Sequence, residues 1–323
     1  MNPFAPSSSI AVAAAIACGA LLAACGGGSG SPADPGPPPA SLSQAEATSD
    51  ASDAEQPAAA GASALDDVFD TTQAMAGAAT TAPVSSVTVD CAGGGSAIVA
   101  ISGGTAAGVV NGALDAGEHY DIVFEQCRGQ AGRAALDGSV SIDIDAVTDG
   151  ASPATTMTIT PHGLNVATPL GSIVLGGFAT LERSSTTDGT TSTTISHLTS
   201  PGFGIDTAFN GRQGHLQMID VDWTRTVSSR DGVVTGSQFT GHHQLRGNAN
   251  DFAFSQSVST VGAVSYAADG TPVAGRWTTV RPESTIATTI AAGLVTLTLD
   301  IGSNGSIERS WTFPLAQLDA AAG

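Results

Sequence analysis

The chain has no lysine: all ten of its positive residues are arginine, set against 29 acidic residues for a formal charge of −19. Without Lys there is no Schiff base, no Ser-x-x-Lys nucleophile and no phosphate-loop lysine. So large an excess of acid repels nucleic-acid phosphates and anionic head groups, which excludes a nucleic-acid partner held through a basic surface. Aromatic residues are also scarce, at 5% of the chain. A membrane-spanning barrel needs aromatic girdles at both interfaces, so this scarcity argues against one. Neither His-Glu-x-x-His nor Gly-x-Ser-x-Gly occurs, and no residue is assigned a catalytic role. The one sustained apolar run, Ile10 to Ala24, is too short to cross a bilayer comfortably as a permanent helix.

What stands at the end of that run is Leu21-Leu22-Ala23-Ala24-Cys25-Gly26. A Leu three residues before a Cys, with small residues between, resembles the lipobox of bacterial lipoproteins. That resemblance implies a signal peptide over 1–24, cleavage before Cys25 and acylation of its sulfur. It also implies anchoring to a Gram-negative cell envelope, with Gly26 compatible with sorting to the outer membrane. The body is similar in texture to uncharacterised β-rich lipoproteins of proteobacteria. No Lys or Arg precedes the run, so either the chain's start lies elsewhere or the free amino group supplies the usual positive charge. The implied partner is the membrane, reached through covalent lipid alone, since a −19 chain has no basic patch to help.

Residues 25–61 are Gly, Ser, Pro, Ala and acid, the composition of a disordered, partly extended tether. In 62–136 we expect one short helix and a disulfide-stapled β subdomain. Ser63 with Asp66 resembles a capping box, and Leu65, Val68, Phe69, Thr72 and Met75 share a helical face. With Cys18 in the discarded leader and Cys25 acylated, Cys91 and Cys127 remain as an even pair in an exported chain, the arrangement of a disulfide.

Over 137–319 the period is two. Val140, Ile142 and Ile144 alternate with polar residues, as do Val295, Leu297 and Leu299. This is how an antiparallel sheet with one wet side reads. Asp188-Gly189, Asp231-Gly232, Asp269-Gly270 and Asn304-Gly305 are hairpin signals whose wide spacing calls for long strands. The expected fold is all-β, an antiparallel up-and-down meander curling into a barrel or half-barrel. The long-stranded part is either a unit of its own or continuous with what precedes it.

Chemistry-bearing residues are few. Asn111-Gly112-Ala113-Leu114-Asp115-Ala116-Gly117-Glu118 resembles a loop of some extracellular Ca²⁺-binding β modules, which would make Asn111, Asp115 and Glu118 ligands. Val109 and Val110 stand where such loops carry acids, and a Gly/Asp turn explains the same residues without metal. His242 is expected in water and His243 inside, being neighbours on one strand. The acid pairs Asp143/Asp145 and Asp220/Asp222, and His215 near the latter, read as a solvated sheet face. Trp223, Trp277 and Trp311 read as core. The expectation is a non-enzymatic binding or structural lipoprotein, with an apolar ligand or an envelope protein as partner and no cofactor. The alternatives are an envelope hydrolase of glycan or ester, and a Ca²⁺-dependent module.

Overall fold

The computed structural model describes residues 43–44, 47–48, 51, 86–91, 94–103, 113–128, 135–150, 152–168, 171–209, 212–249, 252–268 and 271–317. The expected helix of Ser63 to Met75, and with it Cys25 and Asn111, lies outside them.

Fifteen strands form one sheet, antiparallel at every pairing. In chain order they are β1 (Ser86–Asp90), β2 (Ser96–Gly103), β3 (Glu118–Arg128), β4 (Ala135–Thr148), β5 (Ala154–Thr168), β6 (Gly171–Asp188), β7 (Thr191–Phe209) and β8 (Arg212–Arg230). Then come β9 (Val233–Ala249), β10 (Phe252–Thr260), β11 (Val264–Ala267), β12 (Pro272–Arg281), β13 (Ser284–Ala291), β14 (Leu294–Ile301) and β15 (Arg309–Pro314). Each pairs with the next, except that short β11 is inserted between β9 and β12 while β10 also pairs with both. The Asp188-Gly189 and Asp231-Gly232 turns join β6 to β7 and β8 to β9, as their chemistry requires. Asp231 and Gly232 both take positive φ, the conformation of a tight hairpin. The sheet is curved but does not close into a clean barrel: among the described residues β1 pairs only with β2, and β15 only with β14. The division at 136/137 falls inside β4, so the stapled and long-stranded parts share one continuous sheet.

One face carries the core. On β3, Tyr120, Ile122 and Phe124 are buried while Asp121, Val123 and Glu125 are exposed; β13 and β14 alternate as cleanly. Buried apolar side chains gather in two clusters, one running from β2 to β9 and the other from β10 to β15. Residues expected to belong to an extended tether contribute to the second: Gln44, Ala47, Thr48 and Ala51 are helical, and Ala47 and Ala51 are fully buried. The cause is legible in Ser43-x-x-Glu46, a capping-box spacing, followed by alanines four apart that present a smooth face to the sheet.

The curvature has a local origin. Register shifts occur at Phe124/Cys127, Asp137/Ser139, His162/Leu164, Phe178/Thr180 and Ile219/Asp222, forming a seam across β3 to β8. Bulges bend and twist the strands that carry them. Two glycines make the seam possible: a Cβ on Gly138 would lie 2.7 Å from the Gly163 carbonyl oxygen, and one on Gly177 would lie 2.5 Å from that of Gly202. Both also take positive φ. Side chains then satisfy what the bulges disturb. The Gln126 amide donates to Asp137 Oδ1 (2.9 Å), and Ser200 Oγ donates to the Phe178 carbonyl (2.6 Å) while accepting from the Gly202 amide (3.1 Å).

Candidate functional site

The expected disulfide is present. Cys91 and Cys127 are bonded, their Cα atoms 5.4 Å apart, with Cys127 returned to the buried face by the bulge that precedes it. Closing a loop of separation 36 removes about 4 kcal/mol of unfolded-chain entropy in the loop-closure treatment.

Of the three residues of the Ca²⁺-like stretch, Asp115 and Glu118 can be placed. Gly117 takes positive φ in the turn leading into β3. Glu118 is buried on the core face, 1% exposed; its Oε2 accepts from the Asp115 amide (2.9 Å) and from the Tyr120 hydroxyl (2.7 Å). Its Oε1 is buried with no hydrogen-bond partner. Burial, then the carboxylate, push the Tyr120 phenol far above its ordinary value, so it stays a donor. Among the described residues no three His, Cys, Asp or Glu side chains already stand at metal-binding distances.

On the core face the sheet places a second set of polar atoms among apolar neighbours. His243 on β9 is 2% exposed. Its Nδ1 accepts from the Trp223 indole N–H (3.4 Å), the rings meeting edge-on at 5.6 Å. The proton of the neutral ring therefore sits on Nε2, which has no partner. Burial, and then neighbouring His242, lower the His243 pKa to about 4. Trp277 Nε1, Thr279 Oγ1 and Thr288 Oγ1 are likewise buried without partners. The register relates them: His243 faces Val258, Val258 faces Thr279, and Trp277 faces Thr288. Sequence reading placed His243 and Trp277 inside, but it did not find this band. Its only sequence signal is Thr at inward positions of β12 and β13, in alternation with Trp277 on the one and with Ile286 and Ile290 on the other.

The opposite face carries a chain of hydrogen bonds across β3, β4 and β5. His119 Nδ1 meets Asp143 Oδ1 at 2.6 Å, and its Nε2 meets Asp121 Oδ1 at 3.2 Å. Ser141 Oγ donates to Asp121 Oδ1 at 2.7 Å and contacts His162 Nε2 at 2.8 Å. The Asp143 hydrogen bond, ahead of the charges of both carboxylates, raises the His119 pKa; the Ser141 hydrogen bond and His119 lower that of Asp121. Asp145 accepts from Thr158, so the Asp143/Asp145 pair is divided between two partners. Further along, His197 lies between Asp222 (3.0 Å) and Glu182 (3.6 Å), and Asp220 accepts from Gln244. The side chain of His215 lies outside the described residues.

Ser141, His162 and Asp121 invite comparison with a hydrolytic triad, but the protons run the wrong way. An Asp carboxylate only accepts, so the single Ser141 proton points to Asp121, and His162 Nε2 must donate to Ser141 rather than take its proton. A triad needs the acid on the histidine, not on the serine.

No protein-family model, no curated protein and no solved structure matches this chain.

Proposed function

We propose that the chain is a lipid-anchored envelope protein, held by acylated Cys25, whose curved sheet binds an apolar ligand on its core face. The observation that carries the reading is the band of unpartnered polar atoms on that face. Buried N–H and O–H groups without partners cost about 1–3 kcal/mol each, a cost that a bound acceptor would remove. His243 Nε2–H and Trp277 Nε1–H are donors, so they suit a ligand with an apolar body and an ester, carbonyl or carboxylate oxygen. The outer face, polar and internally hydrogen-bonded, suits water, and the acidic charge keeps the domain apart from anionic head groups.

Two experiments test the parts separately. Labelled palmitate enters the wild type, and Cys25→Ser abolishes the label and releases the protein; absence of label from the wild type refutes the anchor. Organic extraction of natively purified protein, followed by mass spectrometry, yields a stoichiometric amphipathic molecule. A ligand-free protein that neither retains nor is stabilised by added fatty acid or phospholipid refutes the binding role.

The buried, unpartnered Glu118 Oε1 beside Asp115 supports a second reading, a Ca²⁺-dependent module. Calcium then raises the melting temperature in the wild type but not in Glu118→Gln; no shift in the wild type refutes it.

A further inference from the structure

We infer that Arg183, Ser196 and Arg225 form a phosphate-binding subsite on the core face, which takes the head group of the apolar ligand; the inference rests on the binding role proposed above. Register builds the subsite. Arg183 on β6 stands directly opposite Ser196 on β7, and Ser196 stands directly opposite Arg225 on β8. Residues paired in this way point to the same side of a sheet. Their neighbours two positions along each strand say which side: Leu181, Leu198 and Trp223 are each 2% exposed and belong to the core. Ser196 is itself buried, at 7% exposure, and both arginines are half-buried. Arg128, Arg246 and Arg276 are exposed, where positive charge offsets the acid of a −19 chain in water. Arg183 and Arg225 are turned instead toward the face that carries the apolar side chains.

Spacing sets the chemistry. Neighbouring strands lie about 4.7–4.9 Å apart, so the Cα atoms of Arg183 and Arg225, with β7 between them, are separated by about 10 Å. Two guanidinium forks that converge over such a span enclose one tetrahedral anion above the Ser196 hydroxyl. A carboxylate has two oxygens and fills one fork, whereas a phosphate has enough oxygens to accept from both forks and from a hydroxyl together. Polarity also changes along the strands at this row. Toward the Asp188-Gly189 turn the same face carries Ser185 and Thr194, paired across β6 and β7 with their hydroxyls 3.4 Å apart. In the other direction it carries Leu181, Leu198 and Trp223, paired in their turn. An amphipathic molecule matches that gradient with its head at the arginines and its apolar body along the two leucines and Trp223. The row also adjoins the band of unpartnered donors: Trp223 is two residues from Arg225, about 7 Å along β8, and its indole N–H is bonded to His243. The two features together describe a ligand with a phosphate at one end and an acceptor oxygen farther along. The −19 charge repels an anionic membrane surface as a whole, so the subsite holds one head group rather than a bilayer.

The test is calorimetric titration of the full chain, delipidated and at low ionic strength, with decyl phosphate, decanoate, decanol and inorganic phosphate, the alkyl probes kept below their micelle concentrations. The expected result is one decyl phosphate per chain, held about 10–100-fold more tightly than decanol or inorganic phosphate and more tightly than decanoate. Arg183→Gln and Arg225→Gln each bring decyl phosphate down to the affinity of decanol and leave decanol binding unchanged, while Arg246→Gln on the exposed side changes nothing. Circular dichroism checks that the variants fold; if one does not, the wild-type comparison of decyl phosphate with decanol decides. Equal affinity for those two probes in the wild type overturns the subsite and leaves the apolar binding role standing, whereas failure of every alkyl probe to bind refutes that role itself. Inorganic phosphate binding as tightly as decyl phosphate assigns the subsite to free phosphate and overturns the head group. A loss in Arg246→Gln equal to that in Arg183→Gln overturns the choice of arginines.

Discussion

His243 makes the stability of this fold fall on mild acidification, by an amount that the structure sets. The ring is buried against Trp223 and has an unpartnered nitrogen, which lowers its pKa from an ordinary 6.5 to about 4. Below pH 6.5 the unfolded chain takes up a proton that the folded chain refuses until about pH 4. Stability from this group is thus intact above pH 6.5 and is lost progressively down to about pH 4. At about 1.4 kcal/mol per pH unit the full loss is about 3 kcal/mol, of which about 2 has gone by pH 5. Urea unfolding followed by tryptophan fluorescence measures it, in the wild type and in His243→Gln and His243→Leu, at pH 7 and pH 5. Both variants are less stable at pH 7, because Trp223 Nε1 loses its acceptor geometry or its acceptor, at a cost of about 1–3 kcal/mol. Their loss between pH 7 and pH 5 is smaller than that of the wild type by about 2 kcal/mol. All other titrating groups contribute equally to the three proteins and cancel in the comparison. Parallel pH dependences would refute the argument, because they would mean that the His243 ring is hydrated or finds a partner when charged.

Three further outcomes follow from other parts of the molecule. Replacing Cys91 and Cys127 together with Ser lowers unfolding free energy by about 4 kcal/mol, read by denaturant titration under oxidising conditions; reductant then has no further effect on the variant. Gly177→Ala, which sets a methyl group 2.5 Å from the Gly202 carbonyl oxygen at a positive φ, costs about 1–3 kcal/mol, whereas the same change at the open position Gly189 costs less than half of it in the same denaturant assay. The imidazole of His119 titrates above 6.5 by NMR, and Asp143→Asn moves it back down. Because that pKa is raised, the stability His119 contributes is present below pH 6.5 and is lost as pH rises through the folded value.

The sequence by itself carried the fold class, the disulfide and the long hairpins. Alternation such as Val140, Ile142, Ile144 is a property of neighbouring residues, and Asp-Gly at 188–189 and 231–232 encodes its own φ. It also placed His243 inside and His242 outside, since adjacent strand residues face opposite ways. It did not assign the helical residues Gln44, Ala47, Thr48 and Ala51, because a capping-box spacing set in a Pro- and Ala-rich stretch is weaker than its surroundings until Ala47 and Ala51 have a sheet to pack on. The bulge seam was equally hidden: Gly138 and Gly177 look like ordinary strand interruptions, and only the carbonyls of Gly163 and Gly202 on neighbouring strands show why nothing larger fits. Both polar sites were decided by tertiary structure for the same reason. His119, Ser141 and His162 are far apart in the chain and belong to three strands, and the unpartnered band of His243, Trp277, Thr279 and Thr288 spans β9 to β13. Which residues stand opposite one another depends on register and on the one-residue shifts along it, each of which moves a side chain relative to its neighbours. Local pattern determines which face a residue takes, and cross-strand pairing alone determines which other residues meet it there.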